Sequence, residues 1–505
     1  MSINLGTLLA RRAQLHPDLP AFVTPERALS FAELDAYTDR VVGALDTLSI
    51  GRGDRVAVML RNGVEFCALY YAAAKIGAVL CCINWRLAGP EVAYILADSS
   101  ARALIFDADF LPAVRPAVGQ CRVEHMRVVG DSRLAPDVGS FSDLVDSSPS
   151  VLFASPVSPE LPLAICYTSG TTGRPKGAVL THAQMYGVAS TICHTLDFRQ
   201  RDVTLIAAPM FHVGGLSFAT LFVHCGATAV SMPAWNTDQA LDLIHEHKVN
   251  HFFAVPTMLE LLLAAARERS SALASVRWIL SGGAPMPLHL PREFADLGIP
   301  LLESYGCTET AGAAVTMDSA HALSKTGSIG KPFLHTDVRI VRSDGEEAAT
   351  DEVGEIQVRA SHVFAGYWNN TAATRAVFDG EWLMTGDLAR RDADGYYFVV
   401  DRKKHVIICG GENVYPAEVE QVLGSHPSII EVAVVGTPDP KWGETVRAVV
   451  VLRPGCALSL SEAREHCREK IANYKMPTSL TISAEPLRRT ATGKLMKAEI
   501  QAIAL

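Results

Sequence analysis

From Thr168 to Gly177 the chain reads Thr-Ser-Gly-Thr-Thr-Gly-Arg-Pro-Lys-Gly, a run of hydroxyls and glycines that ends beside a cation. Gly170 and Gly173 let backbone amides turn toward an anion, the hydroxyls of Thr168, Ser169, Thr171 and Thr172 add donors, and Lys176 adds a positive charge. This is the chemistry of a phosphate cradle. It is not the Walker loop, in which Gly-Lys-Ser/Thr opens a helix, because Lys176 stands between Pro175 and Gly177, and proline withholds a donor where that helix would begin. A Ser/Thr/Gly linker is the bland alternative. The embedded lysine and the apolar segments on either side speak against it.

Further pieces with chemical potential follow in order. Pro209-Met210-Phe211-His212-Val213-Gly214-Gly215 places a histidine among apolar and small residues, a setting in which histidine is more often structural than chemical. Ser281-Gly282-Gly283-Ala284-Pro285 lets backbone approach a flat ligand, and Tyr305-Gly306 can present a ring face to a base. Glu309, after Cys307-Thr308, reads by itself as a solvated surface acid. Thr385-Gly386-Asp387 offers a carboxylate, a group well suited to accept both hydroxyls of a ribose. Asp387, Arg402 and Lys494 each read, taken alone, as ordinary loop or tail charges.

These residues need elements to hold them. Leu161 to Cys166 and Ala178 to Leu180 predict extended segments flanking the phosphate loop. Ser30 with Glu33 predicts the start of a helix running to about Leu48. Val56 to Leu60, Ala78 to Ile83 and Ala103 to Phe106 predict strands, alternating with helical patterns at Val64 to Lys75 and Glu91 to Ala97. Such alternation argues for parallel sheets covered by helices. Ser147 to Pro162, with four prolines, predicts an irregular lead-in to the loop.

At 505 residues the chain exceeds what one core serves, so two or more domains are expected. A net charge of -9 argues against nucleic acid as the main partner. Eleven cysteines without a Cys-x-x-Cys read as reduced thiols, which points to the cytoplasm. The apolar stretch Cys67 to Ile83 is broken by Lys75 and Gly77 and falls short of a membrane span.

Taken together and in this order, the motifs closely resemble those of the adenylate-forming superfamily, and among them the acyl-CoA synthetases. The resemblance covers nearly the whole chain. It implies an α/β fold: a large N-terminal domain of parallel sheets under helices, residues 1–400, and a small mobile α+β domain, residues 401–505, hinged at Asp401. It implies ATP, Mg2+ and coenzyme A as cofactor and co-substrates. Residue by residue, Thr168 to Gly173 and Lys176 hold phosphate, Gly283 and Ala284 flank adenine, and Tyr305 stacks on it. Thr308 meets the α-phosphate, Glu309 helps hold the metal, and Asp387 takes the ribose with Arg402 assisting. His212, Val213, Gly214, Gly215 and Val255 line the acid pocket, Gly410 and Gly411 the thiol tunnel, and Lys494 is the catalytic lysine. His405 and Cys409 depart from the acid and serine that many relatives carry there.

The implied reaction activates a small carboxylic acid with ATP and passes the acyl group to the thiol of coenzyme A. Pocket candidates that are small or apolar and include no arginine disfavour a dicarboxylate. A medium- or long-chain fatty acid is the first expectation and an aromatic or alicyclic acid the second. A carrier-protein-loading enzyme for amino acids would, in this superfamily, place an aspartate near His212, and none lies between Pro209 and Ser217. A light-emitting oxygenase would share every motif, and a non-catalytic nucleotide binder should have lost Lys494, Glu309 or Asp387.

Overall fold

The structure, a computed structural model, describes residues 4–151, 157–168, 174–468, 470–489 and 495–503. Packing divides it into two compact units. The first comprises Met1–Val338 with Val358–Leu383, and the second Arg339–Gln357 with Met384–Leu505.

The first unit is built on two sheets. In one, Arg55–Met59 lies between Val79–Cys82 and Ala103–Asp107, all parallel, and Val79–Cys82 runs parallel to Pro162–Thr168. Apolar residues on both faces of these strands are buried because helices such as Val64–Ile76 cover them. That helix ends at Gly77, whose φ of 74° is the left-handed stop that lets the chain turn into the next strand. Tyr70 and Tyr71, fully buried on it, satisfy their hydroxyls on Thr220 Oγ1 at 2.9 Å and the Ala219 carbonyl at 2.8 Å. The helix Phe31–Thr47 begins with a reciprocal capping box between Ser30 and Glu33, as the sequence predicts.

The second sheet of this unit aligns Val203–Ile206, Thr228–Ser231, His251–Ala254, Trp278–Ser281 and Leu301–Tyr305 in parallel. Four of these, in the spatial order 301, 278, 251, 203, are adjacent, so the segments leaving their C-terminal ends gather along one edge.

Around the parallel centres expected, the first sheet turns antiparallel at its Lys176–Thr181 side and the second at its Val315–Thr316 side. Pro162–Thr168 pairs antiparallel with Lys176–Thr181, and Leu301–Tyr305 with Val315–Thr316. Short connections reach only an antiparallel neighbour, whereas a parallel one needs a crossover of a dozen residues or more.

The second unit packs its own core. Ile407, Val414, Val419, Leu423, Val434 and Val446 come together from Ile407–Cys409, Glu412–Val414, the helix Pro416–Gly424 and the long hairpin of Ile429–Asp439 and Gly443–Leu452. All eleven cysteines are free, as expected from their spacing. Among the described residues, no helix is long and apolar enough to cross a membrane.

Candidate active site

Six residue pairs tie Pro162–Thr168 to Lys176–Thr181, the last of them Thr168 with Lys176. Thr168 Oγ1 donates to the Lys176 carbonyl at 3.4 Å, so the two ends of the phosphate loop are fixed against each other. The stems are pinned from outside as well: Tyr167 donates to Asp98 at 2.6 Å, Tyr94 to the Pro175 carbonyl at 3.0 Å, and the Trp368 amide to the Gly177 carbonyl at 2.7 Å. Ser169, Gly170, Thr171, Thr172 and Gly173 lie outside the described residues, as does Lys494.

The acid-pocket candidates assemble where the parallel strands end. His212 precedes the helix Val213–Cys225, whose first turn approaches the preceding backbone so closely that a methyl on Gly215 would stand 2.3 Å from the Pro209 carbonyl oxygen. Only glycine fits there. A methyl on Gly214 would stand 3.2 Å from Cε1 of Phe253 and one on Gly282 3.7 Å from Cε2, so the Phe253 ring spans both glycines. Val255 Cγ1 comes within 3.9 Å of the corresponding point on Gly283, and Val213 within 3.6 Å of that on Gly312. Gly283 has φ 82°, a conformation that exposes backbone at the strand end and suits glycine. Ala284 follows directly.

Tyr305 ends its strand opposite Val315, half-buried, and Thr308 and Glu309 lie on the single turn Thr308–Thr310. Glu309 is half-buried and accepts a 2.6 Å hydrogen bond from Tyr367 on Oε1. Among the described residues Oε2 has no partner, which fits a carboxylate able to give a hard oxygen ligand to Mg2+. Lys176 Nζ lies 5.2 Å from the centroid of the Tyr367 ring. The structure thus brings Thr168, Lys176 and Glu309 into one neighbourhood.

In the second unit, Asp387 and Arg402 are cross-strand partners joined by a 2.9 Å ion pair, and the adjacent pair is Leu388 with Asp401. The buried Asp401 carboxylate accepts the Arg402 amide at 2.6 Å and the Ala417 amide, at the start of Pro416–Gly424, at 2.7 Å. Burial alone would raise its pKa. His405 beside it, the Lys497 charge and the two amides outweigh burial and hold the carboxyl below its ordinary range. Gly410 and Gly411 form the tight turn between Ile407–Cys409 and Glu412–Val414, and the half-exposed Trp442 lies over Gly410.

Sequence reasoning missed Phe253, Tyr367 and Glu303. The Glu303 carboxyl makes no hydrogen bond among the described residues, and burial pushes it up to about 8. A lone aromatic in Phe252-Phe253 carries no local signal of a pocket, but Gly366-Tyr367-Trp368 was a hint, two aromatics after a glycine at a strand edge.

A hairpin carrying Lys176 beside the Glu309 carboxylate, near the carboxyl ends of parallel strands, is an arrangement suited to a nucleotide and its metal. Residues 9–368 match the AMP-binding enzyme family and residues 418–494 match the AMP-binding enzyme C-terminal domain. The chain belongs to this adenylate-forming family, as an acyl-CoA synthetase, an AMP-forming acid–CoA ligase. It is similar to a long-chain-fatty-acid CoA ligase of Mycobacterium tuberculosis, 38% identical across 98% of this chain and 97% of that protein. An indoleacetate CoA ligase of Aromatoleum aromaticum is also 38% identical, across 99% and 98%. Among solved structures, O-succinylbenzoate coenzyme A synthetase from Bacillus subtilis, in complex with ATP and magnesium ion, superimposes with a TM-score of 0.89 at 33% identity, covering 98% of this chain and 99% of that one. Ligases of this kind use ATP, Mg2+ and coenzyme A.

Proposed function

We propose that the ligase takes a monocarboxylic acid with an apolar body, first a medium- or long-chain fatty acid, and works in the cytoplasm. The observation that supports this is the character of the residues that meet at the strand ends: Val213, Gly214, Phe253, Val255, Gly282 and Gly283 are apolar or small and include no arginine or lysine. A dicarboxylate would leave its second charge unpaired there, at a cost of several kcal/mol. An aryl acid is the second reading. It is favoured by the Phe253 ring, which faces Phe218 at 6.4 Å, and agrees with the similarity to an indoleacetate ligase.

In the proposed mechanism the acid's carboxylate attacks the α-phosphate of ATP and pyrophosphate leaves; the thiol of coenzyme A then opens the acyl-adenylate and AMP leaves. No protein nucleophile is needed. Thr168, the loop 169–173 and Lys176 hold phosphate oxygens, and Thr308 donates to the α-phosphate. Tyr305 stacks on adenine between Gly283 and Ala284, and Asp387, oriented by Arg402, accepts the ribose hydroxyls. Glu309 holds Mg2+, which draws charge from the phosphate oxygens when bound. Lys494 stabilises the charge that develops between the two anions. For the second step residues 401–505 turn about Asp401, so that Gly410 and Gly411 line the path of the thiol.

Pyrophosphate release across a panel of acids, with ATP and coenzyme A present, tests the substrate reading. Octanoate and longer straight-chain acids should be used far better than malonate or amino acids. Equal rates on malonate and octanoate would refute it.

A further inference from the structure

Tyr367 reaches the site from a distant part of the sequence and is held there from two directions. The strand Gly366–Tyr367 pairs with Lys176–Thr181, Tyr367 opposite Ala178, and the Phe364 amide donates to the Glu309 carbonyl at 2.8 Å. Its backbone is thereby fixed both to the strand that carries Lys176 and to the turn that carries Glu309. The side chain repeats this arrangement. Its hydroxyl donates to Glu309 Oε1 at 2.6 Å, its ring faces Lys176 Nζ at 5.2 Å, and Phe364 packs edge-on against it at 4.9 Å. Against a carboxylate oxygen at 2.6 Å the phenol hydroxyl is the donor.

An ammonium and a carboxylate so near the same ring would be expected to pair, yet among the described residues Lys176 and Glu309 form no ion pair with each other. We propose that Tyr367 is a positioning residue that keeps this cation and anion apart, the ring taking the ammonium and the hydroxyl one carboxylate oxygen. The second carboxylate oxygen and the ammonium then stay available to Mg2+ and phosphate. This rests on the roles given above to Glu309 and Lys176. A half-buried tyrosine that merely satisfied its own hydroxyl would have no bearing on the metal.

The experiment measures equilibrium binding of a fluorescent ATP analogue to the full chain without acid or coenzyme A, as Mg2+ is titrated and again in EDTA. Tyr367→Phe retains the ring and its contacts, and its thermal midpoint confirms the fold. Removing a group that orients a metal ligand typically costs about tenfold or more in metal affinity. Half-saturating Mg2+ should therefore rise about tenfold in Tyr367→Phe, while binding in EDTA changes less than about twofold. Glu309→Gln should shift the Mg2+ curve at least as far, and the double variant no further than Glu309→Gln alone. A shift in Glu309→Gln without one in Tyr367→Phe would overturn the role of Tyr367 and leave the metal reading standing. No shift in either would overturn both. Equal weakening with Mg2+ and in EDTA, or additive effects in the double variant, would also overturn the proposal.

Discussion

Two neighbouring glycines at the start of the pocket helix should respond very differently to the same added methyl. In Gly215→Ala the new carbon would stand 2.3 Å from the Pro209 oxygen, 2.6 Å from its carbonyl carbon and 2.7 Å from the Ala208 oxygen. All three are backbone atoms, so the helix or the loop must move, at about 1 to 3 kcal/mol. In Gly214→Ala the nearest atoms, at 3.2, 3.6 and 3.8 Å, belong to the Phe253 ring, which can tilt by a few tenths of an ångström. The strain is then small, and the gain in helix propensity, up to about 1 kcal/mol, offsets it. Scanning calorimetry should show Gly215→Ala about 1 to 4 °C below wild type and Gly214→Ala within about 1 °C of it. The Gly214 methyl, however, takes the room of about one substrate methylene. At about 0.8 kcal/mol, kcat/KM for the longest good straight-chain acid should fall about fourfold and the optimum shift to a shorter chain. Pyrophosphate release over a chain-length series reads this. Equal thermal losses in the two variants, or an unaltered chain-length profile in Gly214→Ala, would refute the placement of the pocket.

Lys494→Ala should slow adenylate formation ~100-fold or more and leave release of thioester from presynthesised acyl-adenylate near the wild-type rate; equal loss of both would point to misfolding or a binding role. Asp401→Pro, which fixes φ, should spare adenylation and abolish thioester formation. Because the Asp401 carboxylate accepts two backbone amides, Asp401→Ala is the control: it should lower stability yet keep both half-reactions. Unchanged turnover in Asp401→Pro would move the pivot elsewhere. Burial holds His182, His224 and His362 at about 4, so each stays neutral in the fold while the unfolded chain binds its proton below about 6.5. Their contribution, up to roughly 3 kcal/mol each, is present above pH 6.5 and is lost as pH falls toward 4. Glu303 acts in the opposite sense: raised from 4.5 to about 8, it keeps a proton that the unfolded chain releases, so stability declines as pH rises across that window. Thermal midpoints from pH 4 to 9 should show both limbs, and a Glu303→Gln variant with the alkaline limb intact would refute the assignment.

Local signals carried much of the architecture. Ser30 and Glu33 announce a helix start because both partners of the capping box lie within four residues, and the strand at Val56 announces itself by an unbroken apolar run. The direction of a strand's neighbour leaves no such mark, so the antiparallel margins were invisible. The glycines of the pocket were legible as places where backbone is approached, but not what approaches them: Phe253 meets Gly214 and Gly282 through the fold alone. Tyr367 is 58 residues from Glu309, and no periodicity links them. The compact units are also interleaved, since Arg339–Gln357 packs with the C-terminal residues while Val358–Leu383 packs with the N-terminal ones, a pattern that the order of elements along the chain does not announce.

Lys176 is a ladder residue of the hairpin, the partner of Thr168, and not part of the loop that gives the motif its appearance. Its backbone is located by strand register, backed by six residue pairs, whereas residues 169–173 lie between the two strands in the sequence. The two components are therefore separately exchangeable. If the loop and Lys176 hold phosphate as proposed, a loop of equal length and different composition, grafted between Thr168 and Arg174, would meet the same cation, and selectivity among phosphate ligands could drift without that anchor being rebuilt.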